Sequence, residues 1–448
     1  MIVLTDRKAI HKLLIERGAK HASRPQMYVA GLISKGVDIS TKQDDKEWRE
    51  KRKQISHYLS PKQLDEKHYK VQEAEATVLM NQLLDDPDSF YHNIQRYTVS
   101  VISTLTMGWR APTWDSFWCA DAYKVFEKFT EVMEPGRTPP VEEFPLLKLL
   151  PASMAKWKKE AIECGNMQDK YWIEARHRLT QRRATGARRN CVADMLLDDW
   201  EANGFPISEY STTMLFAEFV TAGADTTASQ LLTLIIAFAK YPHVVKKAQA
   251  EIDALCGTSR APVFDDFKQL PYINCIIKEG MRWRPVAPTA LPHFNDDYEG
   301  MFIPKGSIIW IATWAIHHMD DQYKAHDDFN PDRYLGWDKL ANDYAGSPDF
   351  ANRDHYGYGV GRRICPGIHL AERNMWRIAA KLLWAFDFAE PLDPHTEKPL
   401  SLDPGAYKNG ILMMPSQFKA RITPRSPAHV ALIKSELAEA EDFLRPYG

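Results

Sequence analysis

The sequence predicts a mostly α-helical protein with a small β part, organised around one long central helix. Three observations carry this. Apolar residues recur at helical spacing over long stretches, most clearly over residues 207–239 and again at Ile368, Ala371, Met375, Ile378, Ala379, Leu382 and Phe386. Alternating, turn-punctuated segments are short and confined to residues 294–312 and 403–425. A glycine-rich loop, Tyr356-Gly-Tyr-Gly-Val-Gly-Arg-Arg-Ile-Cys365, delivers a single cysteine to the start of a helix.

The totals narrow the field. At 448 residues the chain is long for one hydrophobic core but ordinary for a large α-rich enzyme. A net charge of −2 gives no bulk attraction to nucleic acid. Six cysteines are scattered without a CxxC pair, against a zinc site or disulfide scaffold and in keeping with a reducing compartment. No uninterrupted run approaches the roughly 20 apolar residues of a membrane span, and the apolar stretch after Met1 is too short for a signal peptide.

In chain order, residues 6–18 have helical spacing at Ile10, Leu13, Leu14 and Ile15, and residues 23–31 read as a loop. Residues 44–57 form a charged helix whose acidic residues lead and basic ones follow, as the helix dipole favours. Trp48 and Arg52 share a face of it; from spacing alone they are a surface stacking pair. Residues 62–130 carry two or three helices. Residues 139–151, punctuated by prolines and apolar, form a loop or short lid. The arginines of 176–189 read as a solvated face with no nucleic-acid role.

The central helix has Ser208 as N-cap and Pro242 as its stop. At about thirty residues it crosses the whole domain. Its middle breaks local rules: Gly223 costs about 1 kcal/mol relative to alanine, and Asp225, Thr226 and Thr227 are polar where a buried helix would be apolar. Either Thr226 bonds its own backbone while Asp225 faces solvent, or the break marks a site. Glu279 and Arg282 are three apart on the next helix, an ordinary ion-pair spacing. Residues 286–293 are extended and apolar; 294–312 form a small meander.

At the cysteine loop, Gly357, Gly359 and Gly361 allow backbone that side chains would block, and Pro366 suits a first helical turn. A thiol at a helix N-terminus favours the thiolate, which serves as nucleophile or metal ligand; a lone cysteine is more often a small buried hydrophobe. After that helix come a terminal hairpin in 403–425, its turn reaching toward the site, and a last helix from Ala428 to Leu444.

Tyr358-x-x-Gly361-x-Arg363-x-Cys365-x-Gly367 resembles the haem-ligand loop of the cytochrome P-450 family, with Tyr358 where that pattern begins with Phe. Three further stretches resemble the same family in order: Trp48-x-x-x-Arg52, Ala222-Gly-Ala-Asp-Thr-Thr227, and Glu279-x-x-Arg282 with Arg333 downstream. The resemblance covers essentially the whole chain. It implies a cytochrome P-450 fold whose long helix passes over a cysteine-ligated haem b (iron protoporphyrin IX). Cys365 would be the axial iron ligand and Gly367 part of the cofactor-binding loop. Trp48, Arg52, His293 and Arg363 would meet the propionates, Arg by its planar fork. Asp225 and Thr226 would relay protons to dioxygen. Glu279, Arg282 and Arg333 would hold the cysteine loop, and Ala222, Val286, Ala287, Ala290, Leu291 and Leu412 would line the substrate pocket.

The resemblance also implies a monooxygenase that uses O2 as co-substrate, inserts one oxygen atom into a small apolar molecule, and draws NADPH electrons from an NADPH-cytochrome P-450 reductase. That partner would dock near Arg49, Lys51, Lys53 and Arg362. The stretch Cys365 to Trp376, with Pro292-His293 and Asp296-Asp297-Tyr298, resembles filamentous-fungal members, many of which tailor secondary metabolites. The expectation is a single catalytic domain over 1–448, N-terminally short of the family's anchor and first strands, with 428–448 a helical extension. It is a monomer that touches the membrane peripherally, inside the cell, where relatives face the cytosol from the endoplasmic reticulum. Two alternatives stand beside it: an O2-independent isomerase or dehydratase on the same fold, to which Asp225 and Thr226 would be superfluous, and an inactive, truncated, haem-free product.

Overall fold

A computed structural model describes residues 1–289, 293–294, 297–299, 301–304, 307–408 and 410–448, with backbone alone at 293, 294 and 297. The expected helix-rich architecture is present. The central helix runs Glu209–Lys240; the Ser208 side chain caps it by accepting from the Ser211 N–H at 3.1 Å, and Pro242 opens the next helix. Residues 227–239 are buried on every side. The helix packs against Phe90–Met107, Pro271–Trp283 and Ile368–Ala385, so it forms the axis of the core. It is also long and apolar enough to cross a membrane, but 78% of that apolar window is buried inside the protein, as in a core helix.

The rule-breaking Gly223 has a packing cause. A Cβ there would sit 2.8 Å from Cγ1 of Ile102, so the helix-interior cost of glycine is offset by close approach of two helices. The small residue thus serves the packing on the Phe90–Met107 helix.

The β part is small and lies at the periphery. Ile308–Ile311 pairs in parallel with Ile2–Leu4 and antiparallel with His293–Phe294. Phe386–Ala389 pairs with Arg421–Pro424, and Tyr407–Lys408 with Met414–Pro415, which supplies the expected terminal hairpin.

Ile2–Leu4 is a strand, because Ile309 and Ile311 offer it a buried partner. Three expectations need correction. Residues 23–31 are not all loop, since Tyr28–Ser34 is a helix packed on Lys156–Ala184. Arg182 and Arg183 do not face water; both are buried and hydrogen-bond to Asp194, Arg182 at 2.7 Å. Lys51 is fully buried, 2.8 Å from Glu218 of the central helix, and is lost to any docking surface.

The last helix, Pro427–Leu444, lies along Tyr69–Asp85, burying Ala440 and Leu444 against Ala74 and Val78. Asn81 ties it down through the Ile433 carbonyl at 3.1 Å.

Candidate active site

The cysteine loop is shaped by its glycines. Gly359 and Gly361 have φ of +75° and +60°, and a Cβ on Gly361 would collide with the carbonyl oxygen of Leu14. Only glycine takes both the conformation and the contact at no steric cost. The Cys365 N–H donates to the Tyr358 carbonyl at 2.8 Å, which closes the loop under the sulfur. Burial pushes the Cys365 thiol up; the N–H groups of Gly367 and Ile368 and the charge of Arg52 pull against it. The helix start alone therefore does not make a thiolate here, contrary to the simple dipole argument. A cation bound at the sulfur would.

Behind the loop stands a buried polar lattice. Arg282 grips Glu279 with two hydrogen bonds, at 2.7 and 2.8 Å, and donates to the His317 carbonyl at 2.9 Å. Arg333 lies 3.5 Å from Glu279 and donates to the Ala325 carbonyl at 2.7 Å. His317 in turn accepts the Tyr356 N–H at 2.8 Å. The lattice thus runs from Glu279 to the first residue of the loop in three contacts. Tyr334 hydroxyl donates to the Asp354 carbonyl at 3.0 Å and completes the support.

Trp48, Arg52, Arg363 and Cys365 come together. The Arg363 guanidinium lies 3.9 Å over the Trp48 ring, and the latter is buried. Arg363 is partly engaged. It donates to the carbonyls of Ala22, Ile39 (3.2 Å) and Lys42 (2.8 Å) and so stitches two loops together, while the second N–H on each of its two terminal nitrogens is left over for an anion. Arg52 is the opposite case. Among the described residues it has no hydrogen-bond or ion-pair partner, and its charge acts on Cys365. Sequence reasoning missed Arg24. It is buried beside the other two arginines, and burial together with the cations Arg363 and Arg52 pushes its guanidinium down to about 9. No motif marks it, since it lies in a stretch read as loop.

On the central helix, Ala222 is exposed and Asp225 and Thr226 half-buried, in the middle of an otherwise buried element. Thr226 Oγ1 donates to the Ala222 carbonyl at 2.7 Å, the backbone bond that the simpler alternative anticipated. Asp225 does not simply face water. Burial, then the Glu127 carboxylate, push its carboxyl up to about 6, against the pull of the Lys408 ammonium. Lys408 and Glu127 pair at 2.9 Å.

Val286 is buried and Ala287 and Leu412 are half-buried. The Met413 N–H donates to the Val286 carbonyl at 2.8 Å, and Ser229 of the central helix donates to the Met413 carbonyl, so the hairpin turn closes on helix and strand together. Ala290, Leu291 and the side chain of His293 lie outside the described residues. The extra hydroxyl of Tyr358 is buried without a partner among the described residues, and so is Oε2 of Glu372.

These residues fit a planar, anionic, iron-bearing group: a cysteine on a closed loop, an arginine beside it with no partner among the described residues, and an open patch on a buried helix. A family model for cytochrome P450 matches residues 1–421. Cytochrome P450 monooxygenase patI of Aspergillus clavatus is 39% identical over 444 residues, 98% of this chain and 83% of its own length. Cytochrome P450 monooxygenase atE of Aspergillus terreus is 38% identical over 450 residues, 100% of this chain and 83% of its own. A solved zebrafish cytochrome P450 with progesterone superposes with a TM-score of 0.73 at 23% identity, covering 94% of this chain and 93% of that one. At that identity the likeness is one of fold.

Fold and relatives together define a haem-dependent oxidoreductase. The chain belongs to the cytochrome P450 family, and is an enzyme of the monooxygenase class, to which haem and dioxygen belong.

Proposed function

We propose that this enzyme inserts one oxygen atom from O2 into a small apolar organic substrate, as a tailoring step of fungal secondary metabolism. The observation that carries the reading is the combination of the supported Cys365 loop with the polar break at Asp225 and Thr226. The haem b that Cys365 would hold supplies the oxygen chemistry, its anionic sulfur favouring O–O cleavage. The remaining work falls to the chain. Arg52 offers an unspent guanidinium to a propionate, beside the ring of Trp48. Asp225, protonated below about pH 6, would hold a proton at its carboxyl, and the Thr226 oxygen, whose own proton is held by the Ala222 carbonyl, would accept a hydrogen bond in the pocket; for Thr226 to hand a proton onward that bond must first turn away from Ala222. Val286, Ala287 and Leu412 present apolar surface to the substrate.

Electrons come from an NADPH-dependent reductase. Arg49, Lys53 and the exposed Arg362 supply its docking charge, without Lys51. The exposed Phe144, Leu146 and Leu149, on the segment over residues 139–151, give a monomeric enzyme its peripheral contact with a membrane.

The test is the carbon monoxide difference spectrum of the reduced protein. A red-shifted Soret band is expected in the wild type and lost in Cys365→Ser; a wild type that binds no haem overturns the proposal. Comparing the metabolites of a knockout strain with its parent then identifies the substrate.

A further inference from the structure

The loop over residues 318–327 carries a donor cluster that the oxygenation chemistry does not use. One ligand atom from each of His318, His326 and Asp327 lies within 4.8 Å of the other two. The His318 ring stacks on Trp314, centroids 4.0 Å apart at 12°. Its Nδ1 stands 2.9 Å from the Trp314 carbonyl oxygen. A carbonyl only accepts, so Nδ1 carries the proton and Nε2 keeps its lone pair. That Nε2 is buried with no hydrogen-bond partner among the described residues, and so is Nδ1 of His326. The latter atom lies 3.2 Å from Asp327 Oδ1, while the other ring nitrogen of His326 lies 3.4 Å from Asp320 Oδ1. A buried acceptor such as His318 Nε2 is costly with no donor on it unless something fills the gap, and the two carboxylates that face the His326 ring are themselves largely exposed.

We propose that His318, His326 and Asp327 bind a divalent first-row transition-metal ion of the Zn2+ class. Two imidazoles and a carboxylate are its usual ligands, and a water completes four-coordination. The neighbours supply what such a site needs. The Trp314 carbonyl fixes the tautomer of His318, and Asp320 takes the far nitrogen of His326. Positive charge acts on His318 from Arg282, which Glu279 neutralises through a bidentate bond, and from Arg284, which donates only to carbonyls, so the Asp327 and Asp320 carboxylates must offset it.

The place of the site in the fold gives it a task. Carbonyls of this same loop receive the lattice that supports Cys365: Asp327 accepts from Trp283 at 2.6 Å, Asp328 from Arg282 at 3.2 Å, and Ala325 from Arg333 at 2.7 Å. The loop also holds Ala325 at φ +49°, a conformation disfavoured for a residue with a Cβ. An ion bridging residues 318, 326 and 327 would pin both ends of this loop. The metal is structural, and it acts on the haem loop from behind.

The experiment uses the haem-loaded full chain, freed of metal with a chelator and titrated with Zn2+ by calorimetry. One tight Zn2+ per chain is expected, with a rise in melting temperature by mass action. His326→Ala and Asp327→Asn, both at the outer side of the cluster, should each weaken binding at least about tenfold and cancel the thermal gain. Zinc K-edge absorption should find only nitrogen and oxygen neighbours at about 2.0–2.2 Å. Absence of stoichiometric binding overturns the proposal. So does binding of equal affinity in both variants, or a sulfur neighbour at about 2.3 Å, which would mean that a cysteine holds the ion instead.

Discussion

Lys278 Nζ lies 2.7 Å from Asp354 Oδ2, and both side chains are buried, at 1% and 0% exposure. The pair joins the helix that carries Glu279 and Arg282 to the residue two places before the cysteine loop begins. It is a second, independent clamp on that loop, beside the one that passes through His317.

Breaking this clamp from one side should be costly. Lys278→Met keeps the stem of the side chain but removes the cation from the buried Asp354, leaving it the His355 N–H at 2.8 Å and the His355 ring. The expected loss is about 3–5 kcal/mol, the usual penalty for an orphaned buried charge. Denaturant unfolding measures it, and haem retained per chain should fall in parallel; a loss within 1 kcal/mol would mean that the loop relaxes without the clamp.

The two site arginines should behave differently. Arg363→Ala removes the donor from three backbone carbonyls, so it should lower the melting temperature of the haem-free protein. Arg52→Ala removes a guanidinium with no partner among the described residues. It should leave that stability within about 0.5 kcal/mol, as for a residue with no hydrogen bond or ion pair to lose. Haem retention should nevertheless drop. Melting curves of both variants, with and without haem, separate the two roles.

Proton delivery should depend on pH through Asp225. Its carboxyl sits at about 6, so the donor form is populated below that pH and depleted above it. Product formed per NADPH consumed should therefore fall as pH rises through about 6, and Asp225→Asn should remove the inflection. Thr226→Ala should keep the haem spectrum while diverting electrons to peroxide. Unchanged coupling in Thr226→Ala would take that hydroxyl out of the relay.

Glu372 gives a stability test with a definite sign. Burial pushes its carboxyl up to about 7 from an ordinary 4.5. A raised acid holds its proton in the folded state, so the stability is fully present below pH 4.5 and is lost as pH rises through 7. At pH 8 the loss amounts to about 3 kcal/mol. Glu372→Gln cannot ionise and should lack this part of the slope in denaturant unfolding between pH 5 and 8.

Much of the site was legible because it is written locally. The cysteine loop, the Ser208 cap and the pair of Glu279 and Arg282 each span a few residues, and the structure realises each of them. What escaped depends on distance in sequence or on what lies opposite. Lys278 and Asp354 are 76 positions apart, and neither carries a local mark. The Tyr28–Ser34 helix has too few periodic residues to announce itself; it forms where Gly165 lets the backbone of Ile33 come close, since a Cβ there would lie 2.8 Å from the Ile33 carbonyl oxygen. Arg182 and Arg183 read as surface because charge is usually solvated, and only Asp194 explains their burial. For Arg363 the motif gave no sign of the backbone carbonyls of Ile39 and Lys42, more than 300 positions away, to which it also donates.

The close approach of Gly223 to Ile102 has a bearing on efforts to change what the enzyme accepts. Randomising the pocket-facing positions alone treats the central helix as a fixed ceiling. Its height is set in part by Ile102, a buried side chain of the Phe90–Met107 helix. A bulkier residue at 223 must push the two helices apart unless Ile102 shrinks with it. Libraries that vary the two positions jointly, trading volume from one to the other, would raise or lower that ceiling without touching its surface.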